Sequence, residues 1–120
     1  MTSHRSPNEV VTLYCEKAWN ECQTDLIREI TANPVVRHYA GRIQTMDHDT
    51  QIARIQDRHK TARPRFDGII QFAEGPYVAY VWNNTTEQGG KKSGIEIFKV
   101  EEGRITEVWN PSTVDEGHWA

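Results

Sequence analysis

Glu96 lies in the run Gly94-Ile95-Glu96-Ile97-Phe98, where the two-residue period of a half-buried strand should place an apolar side chain. A carboxyl desolvated at such a position has its pKa raised, which fits it to move a proton or donate a hydrogen bond near neutrality. Its complement in acid/base work is found in Val35-Val36-Arg37-His38-Tyr39. His38 titrates closest to pH 7 among side chains, and Tyr39 carries a phenol. Neighbours on a strand point to opposite sides, so one of the two can face the same interior as Glu96.

Turn chemistry gives a first assignment of what surrounds Glu96. Glu101-Glu102-Gly103 fits a type I turn followed by a left-handed glycine, the bulged hairpin. That turn pairs Val100 with Arg104, Phe98 with Thr106, Glu96 with Val108 and Gly94 with Asn110. A two-residue Glu102-Gly103 turn instead sets Glu96 opposite Trp109. On the other side, a loop centred near Gly90 puts Asn84 opposite Glu96 and Trp82 opposite Phe98, and a slip of one residue brings in Asn83 and Val81. One sheet face then carries Trp82, Asn84, Glu96, Phe98 and Asn110. Covered by a helix bearing Tyr14 and Trp19, it becomes an apolar pocket with a few convergent polar groups.

Other chemistry-bearing residues have simpler readings. Cys15 and Cys22 share a helix face about 10 Å apart along its axis, too far for a disulfide, and read as reduced core cysteines. His48 and His59 are about 16 Å apart on their helix and cannot share one metal ion. No metal site is expected, and no cofactor. Arg58, His59, Lys60, Arg63 and Arg65 suit the C-terminal end of a helix macrodipole, with a patch for an anionic ligand as the alternative.

The elements that must hold these groups follow from periodicity. Ser6 and Pro7 open a helix whose stripe is Val10, Val11, Tyr14, Cys15, Ala18 and Cys22, ending near Cys22. Asp25 opens a short second helix with Leu26, Ile27 and Ile30 buried, stopped by Asn33-Pro34. Residues 35–39 form a short strand turned at Ala40-Gly41. Asp47 caps a third helix with His48, Ile52, Ile55 and His59 as its stripe, ended before Pro64. β-rich runs follow at 66–74, 77–87, 94–100 and 104–110, with three consecutive strands joined by short turns read as an antiparallel meander. Helices early and strands late, in the order ααβαβββ, argue an α+β domain with helices on one face of a curved sheet.

With 120 residues, 37% hydrophobic and 26% charged, the chain reads as one domain with a core of its own. Residues 1–6 and 113–120 read as flexible ends. A net charge of −3 argues against a nucleic-acid binder. No apolar run approaches the roughly 18 residues of a membrane span. The polar opening Met1 to Glu9 lacks the apolar core of a signal peptide, so a cytoplasmic location is expected.

From residue 8 to 112 the chain resembles the SnoaL-like branch of the nuclear-transport-factor-2-like superfamily. The resemblance is carried by the helix 10–21 with its Ala18-Trp19-Asn20, by 34–39, and by 94–110. That last run is similar to the pattern Gly-Ile-Asp/Glu-x-Phe-x-x-x-x-Gly-Lys/Arg-Ile-x-Glu-x-Trp. It implies a cone-shaped α+β barrel with the ligand inside, and members include polyketide cyclases, ketosteroid isomerases, epoxide hydrolases, dehydratases and non-enzymatic binding domains. Matched to the isomerases, Glu96 falls on the protonated acid of the oxyanion hole, a carboxylic acid kept neutral by its apolar site. The helix tyrosine of that hole falls on Cys15, one residue from Tyr14, and the general-base aspartate falls on Tyr39. The histidine that SnoaL-like cyclases carry on the strand 77–87 is missing, as is the Asp-Arg-Asp relay of epoxide hydrolases.

The combined expectation is a small cofactor-independent enzyme acting on a small hydrophobic carbonyl compound, of isomerase, cyclase or dehydratase type. Glu96 is its acid or oxyanion stabiliser, and His38 or Tyr39 its base or polariser. Tyr14, Trp19, Trp82, Asn84, Phe98 and Asn110 line the substrate. The alternative is a non-catalytic ligand-binding or dimerisation domain of the same fold, with a hydrolase a further one. Ile95, Ile97 and Trp109 fall on the outer sheet face and suggest a homodimer interface.

Overall fold

The structure is a computed structural model that describes residues 4–110 and 115–119. Helix α1 spans Pro7–Leu13 and runs directly into a π-helical segment, Tyr14–Trp19. Helix α2 spans Leu26–Ile30, β1 Thr31–Tyr39, β2 Arg42–Met46 and α3 His48–Thr61. Strands β3 (Arg65–Glu74), β4 (Tyr77–Thr85), β5 (Lys91–Glu101) and β6 (Arg104–Trp109) complete the chain. The expected α+β class holds. Two strands join the ααβαβββ order: β2, which the hydrophilic Arg42-Ile43-Gln44 stretch concealed, and β3 as a full member of the sheet.

The single curved sheet has the order β2-β1-β6-β5-β4-β3. Only β1 and β6 are parallel; every other neighbouring pair is antiparallel. The sheet stays open, so the cone is completed by the helices lying on its concave face rather than by strand pairing. Val10, Val11, Ala18, Ile27, Ile30, Val78, Phe98, Ile105 and Val108 are almost fully withdrawn from solvent between the two layers. No described helix is long and apolar enough to cross a membrane.

Local chemistry explains where the helices begin and stop. Ser6 caps α1 in a reciprocal box with Glu9, with Pro7 in the first turn. Asp47 caps α3 by accepting the Thr50 amide at 2.7 Å. The first helix ends at Trp19 with Asn20 as its cap, short of Cys22, whose φ is +55°. α2 ends at Ile30, three residues before Asn33-Pro34. Those two residues lie inside β1, where Asn33 Oδ1 accepts the backbone N–H of His48 at 3.0 Å.

Both hairpins around β5 differ in register from expectation, and both keep the expected faces. β5 and β6 are joined by a two-residue turn at Glu102 and Gly103, with φ of +51° and +75° and Glu101 paired to Arg104. Positive φ at both positions matches the twist of the flanking strands. The extra residue is Thr106 in β6, not a turn glycine, and it re-phases the ladder so that Phe98 pairs with Val108 and Ile97 with Trp109. β4 meets β5 with Tyr80 opposite Glu96 and Trp82 opposite Gly94. The turn is closed by Thr86, whose backbone N–H reaches the Gly90 carbonyl, so Lys91, Lys92 and Ser93 belong to the strand. The difference from the expected register is an even number of residues, which preserves side-chain facing but slides Tyr80 to the depth of Glu96.

Of the expected flexible ends, residues 1–3, 113, 114 and 120 lie outside the described residues. Ser6 caps a helix, and residues 115–119 lie against β4 and β5. Ser93 pairs with Asp115, and the Trp119 amide donates to Asn83 Oδ1 at 2.8 Å. Cys15 and Cys22 are both free thiols.

Candidate active site

The concave face of the sheet carries Tyr80 and Trp82 from β4, Glu96 and Phe98 from β5, and Arg37 from β1. Their position follows from alternation: Arg37 pairs with Val108, whose side chain is in the core, while His38 pairs with Trp109 on the other side. The π-helical segment supplies the roof. It brings Tyr14, Cys15, Ala18 and Trp19 all inward, continuing the buried stripe of Val10 and Val11. Asn20 then locks the roof to the sheet by exchanging two hydrogen bonds with the backbone of Phe66, at 2.7 and 2.8 Å. His59 of α3 adds a bond from its ring nitrogen to the Trp19 carbonyl.

Two connected spaces lie beneath this roof. The inner one, about 30 Å³, is bounded by Tyr14, Cys15, Arg37, Tyr80, Glu96 and Phe98. Such a volume takes one or two waters or a single functional group. The outer one, about 180 Å³, opens past Trp82, Asn84 and Asn110 towards Arg58 and Lys92. Trp19, Arg54, Phe66 and Glu96 border both. Phe66 stands edge-on to Trp19 and to Trp82, with centroids 5.5 and 5.3 Å apart, and Tyr14 stands edge-on to Phe98 at 5.8 Å. The aromatic walls are therefore braced against one another.

Glu96 is the sole carboxylate on either lining, and its side chain is 12% exposed. Burial pushes its pKa up, while Arg37 and Arg54, and the facing Trp82 and Asn110 side chains, pull it back without cancelling the effect. Arg37 Nη2 lies 3.9 Å from Glu96 Oε2. The Arg37 guanidinium is itself desolvated, which works against its charge, but Tyr14, Glu96 and Tyr39 together keep it firmly protonated. Burial also raises the Cys15 thiol and the Tyr80 phenol, so both stay neutral. Trp82 Nε1 is buried with no hydrogen-bond partner in the protein. An unpaired buried N–H is costly; the group Trp82 acts on is the Glu96 carboxyl, whose charged form it favours, and the indole borders the outer space.

The sequence-derived residues divide clearly. Glu96, Tyr14, Trp19, Trp82, Asn84, Phe98 and Asn110 all border the two spaces. His38 does not. It lies on the outer face, stacked on Trp109 at 4.7 Å and 8°, with Nε2 3.0 Å from Glu107 Oε1. Its place beside Glu96 is taken by Arg37, because Val35 and Arg37 are the inward members of β1. Tyr39 is on the Arg37 side, but its hydroxyl accepts a hydrogen bond from Arg37 Nε at 3.2 Å and borders neither space. It reaches Glu96 only through that guanidinium.

Sequence reasoning passed over Arg37, Arg54, Tyr80 and Phe66. For Arg37 a signal existed: a buried acid needs a counter-charge, and the strand of His38 offered an arginine next to it. Tyr80 follows from the true β4–β5 register. Arg54 and Phe66 come from elements remote in sequence and carry no local signal.

No family model and no curated protein sequence matches the chain. Solved structures do. A proposed polyketide cyclase from Streptomyces antibioticus, IdmH, superposes with a TM-score of 0.77 at 18% identity, over 92% of this chain and 93% of that one. A proposed ketosteroid isomerase from Kribbella flavida gives 0.76 at 15% identity, over 95% and 81%. An isomerase proposed for the SnoaL-like family from Agrobacterium tumefaciens gives 0.70 at 19%, over 92% and 99%. At such identities the likeness speaks for the fold alone. The helix-roofed, open, curved sheet of this chain is the SnoaL-like, nuclear-transport-factor-2-like fold.

Proposed function

We propose that the roofed space is the active site of a cofactor-independent enzyme that moves a proton next to a carbonyl group. Its class is that of isomerases and cyclases, as the names of its structural neighbours suggest. The observation that carries this reading is the group around Glu96: one buried carboxyl of raised pKa, one buried arginine 3.9 Å away, and one unpartnered indole N–H.

The chemistry is a two-way proton transfer. Glu96 as carboxylate takes the proton from the carbon beside the carbonyl. The electrons of that C–H bond pass to the carbonyl oxygen, where the Trp82 N–H and the Arg37 guanidinium meet the developing negative charge. The protonated Glu96 then returns its proton, either to another carbon of the same framework or to the alkoxide formed when the enolate attacks a second carbonyl. A raised pKa brings the carboxyl closer to the enolate in basicity, which suits both halves of the cycle. Tyr39 acts as a positioning residue for Arg37. Trp19, Phe66 and Phe98 exclude water from the reacting centre.

Hydrogen–deuterium exchange at the α-carbon of propiophenone, followed by NMR in D₂O, tests this. The protein should accelerate exchange over buffer, and Glu96→Gln should remove about two to four orders of magnitude of that acceleration. Exchange that survives in E96Q, or no acceleration with the wild-type chain, would leave a binding domain of the same fold as the better reading.

A further inference from the structure

The outer space has a charge pattern that proton transfer at Glu96 uses only in part, through the pull of Arg54 on its carboxyl. Arg54 and Arg58 stand four residues apart on α3, on one side of the helix, and Lys92 faces them from β5. Among the described residues, none of the three forms an ion pair or donates a side-chain hydrogen bond to the protein. Other cations nearby are occupied: Arg65 is paired with Asp67 at 3.2 Å and Arg63 with Glu87 at 3.8 Å. Arg54 is half-buried, with its guanidinium 5.5 Å from the Trp19 ring centroid, an arrangement that holds a cation in place over the cleft. Among the described residues Glu96 is the only carboxylate on this lining, and it sits at the inner end, where Arg37 answers it first and Arg54 second.

The two ends of the cleft thus ask for different groups. The inner end offers the Trp82 N–H, a buried donor without a partner, and suits a neutral carbonyl oxygen. The middle is a slot between Trp19, Phe66 and Trp82 and suits a flat apolar body. The mouth has three cations and, among the described residues, no counter-charge. We infer that the substrate is a small aromatic oxo acid, bound with its ketone inward against Trp82 and Glu96 and its carboxylate outward on Arg54, Arg58 and Lys92. This rests on the reading of Glu96 as the group that works on a carbonyl, and it adds the anionic end. Guanidinium groups suit a planar carboxylate because they can donate two parallel hydrogen bonds to it.

The probes are 4-acetylbenzoate and its methyl ester, with affinities for the full chain read by quenching of tryptophan fluorescence. The acid should bind about tenfold or more tightly than the ester, and added salt should weaken the acid alone. Arg54→Gln and, separately, Lys92→Gln should each collapse the acid-to-ester ratio. Lys60→Gln, which removes a cation of the same helix away from the cleft, should leave it intact. Equal binding of acid and ester, failure of the acid to bind, or a ratio unchanged in both R54Q and K92Q overturns the inference. α-Proton exchange measured on the same probes separates the two proposals. Ester exchange without acid preference sinks only the anionic end, and acid preference without exchange sinks only the catalysis.

Discussion

Arg37 and Glu96 reach each other across the breadth of β6, Nη2 to Oε2 at 3.9 Å, with side chains 5% and 12% exposed. The separation is too long for a hydrogen bond. Among the described residues it leaves the guanidinium with one side-chain hydrogen bond, to Tyr39, and the carboxyl with lone pairs to spare. A pair held apart in this way can accept a third group between its members.

Arg37 holds Glu96 down, so removing it should send the carboxyl further up. In Arg37→Met the pKa of Glu96, followed by carboxyl-resolved NMR, should rise above the wild-type value, which itself should exceed the ordinary 4.5. A Glu96 that titrates at the ordinary value in the wild type would falsify the desolvated acid. Burial of an unpaired partner makes this a one-way experiment: Glu96→Gln is the companion variant, since it keeps the shape and removes the titration.

The same shift dictates a pH dependence. Folding favours the protonated form of Glu96, so its contribution to stability is fully present below 4.5, where the carboxyl is neutral folded or unfolded. It declines as pH rises from there towards the higher folded pKa, and stays lost above it. Urea unfolding across this window should therefore show wild type losing stability with rising pH relative to E96Q. A constant difference between the two proteins over that range contradicts the prediction.

Gly94 is required by Trp82. A Cβ there would meet the indole Cζ2 at 2.5 Å, with Trp82 directly across the ladder. Gly94→Ala should cost roughly 1–3 kcal/mol of stability, measured by denaturant unfolding, and should turn the indole N–H away from Glu96. Trp82→Phe is the cleaner probe of that N–H, because it keeps an aromatic wall. It should lower kcat for exchange more than it raises KM.

The Glu102-Gly103 turn offers a gain. Glu102 sits at φ +51°, a conformation that asparagine tolerates better than glutamate. Glu102→Asn should stabilise the chain by roughly 0.5–1 kcal/mol, and Gly103→Val, at φ +75°, should destabilise it. Thermal unfolding of the two variants checks the turn independently of the site.

The outer sheet face is expected to be covered by a second copy of the chain. Ile95 is 44% exposed, with Ile70, Phe72 and Tyr77 on the same face also exposed and Trp109 beside them under His38. Sedimentation should give a dimer, and Ile95→Lys should shift it to monomer. A monomeric wild type at tens of micromolar would refute it.

Much of the fold was legible because it is local. Ser6-Pro7 and Asp47 start helices through groups two or three residues away, and the alternation of 94–110 sorts Glu96 and Phe98 from Ile95 and Ile97 by the pleat alone. That sorting survived both changes of register: the β4–β5 slip is even, and at β5–β6 the two-residue turn offered as the alternative shifts the ladder by one, which the Thr106 bulge makes even before Phe98. The depth at which residues meet is not local, so Tyr80 was missed. β2 was missed because its burial is low except at Met46, leaving no apolar pattern to read.

By itself the sequence determined which residues could share the concave face: the hydrophobic period sets facing, and facing needs no knowledge of partners. Only the tertiary structure decided which polar groups meet there. The parallel pairing of β1 with β6 turned Arg37 inward and sent His38 to Trp109 and Glu107. The first helical segment laid Tyr14 and Cys15 over the sheet, and α3 carried Arg54 to the cleft. Those encounters join segments tens of residues apart, where no short-range spacing constrains the outcome and only packing of the whole sheet selects it. Glu96 was visible from its strand; its arginine was not.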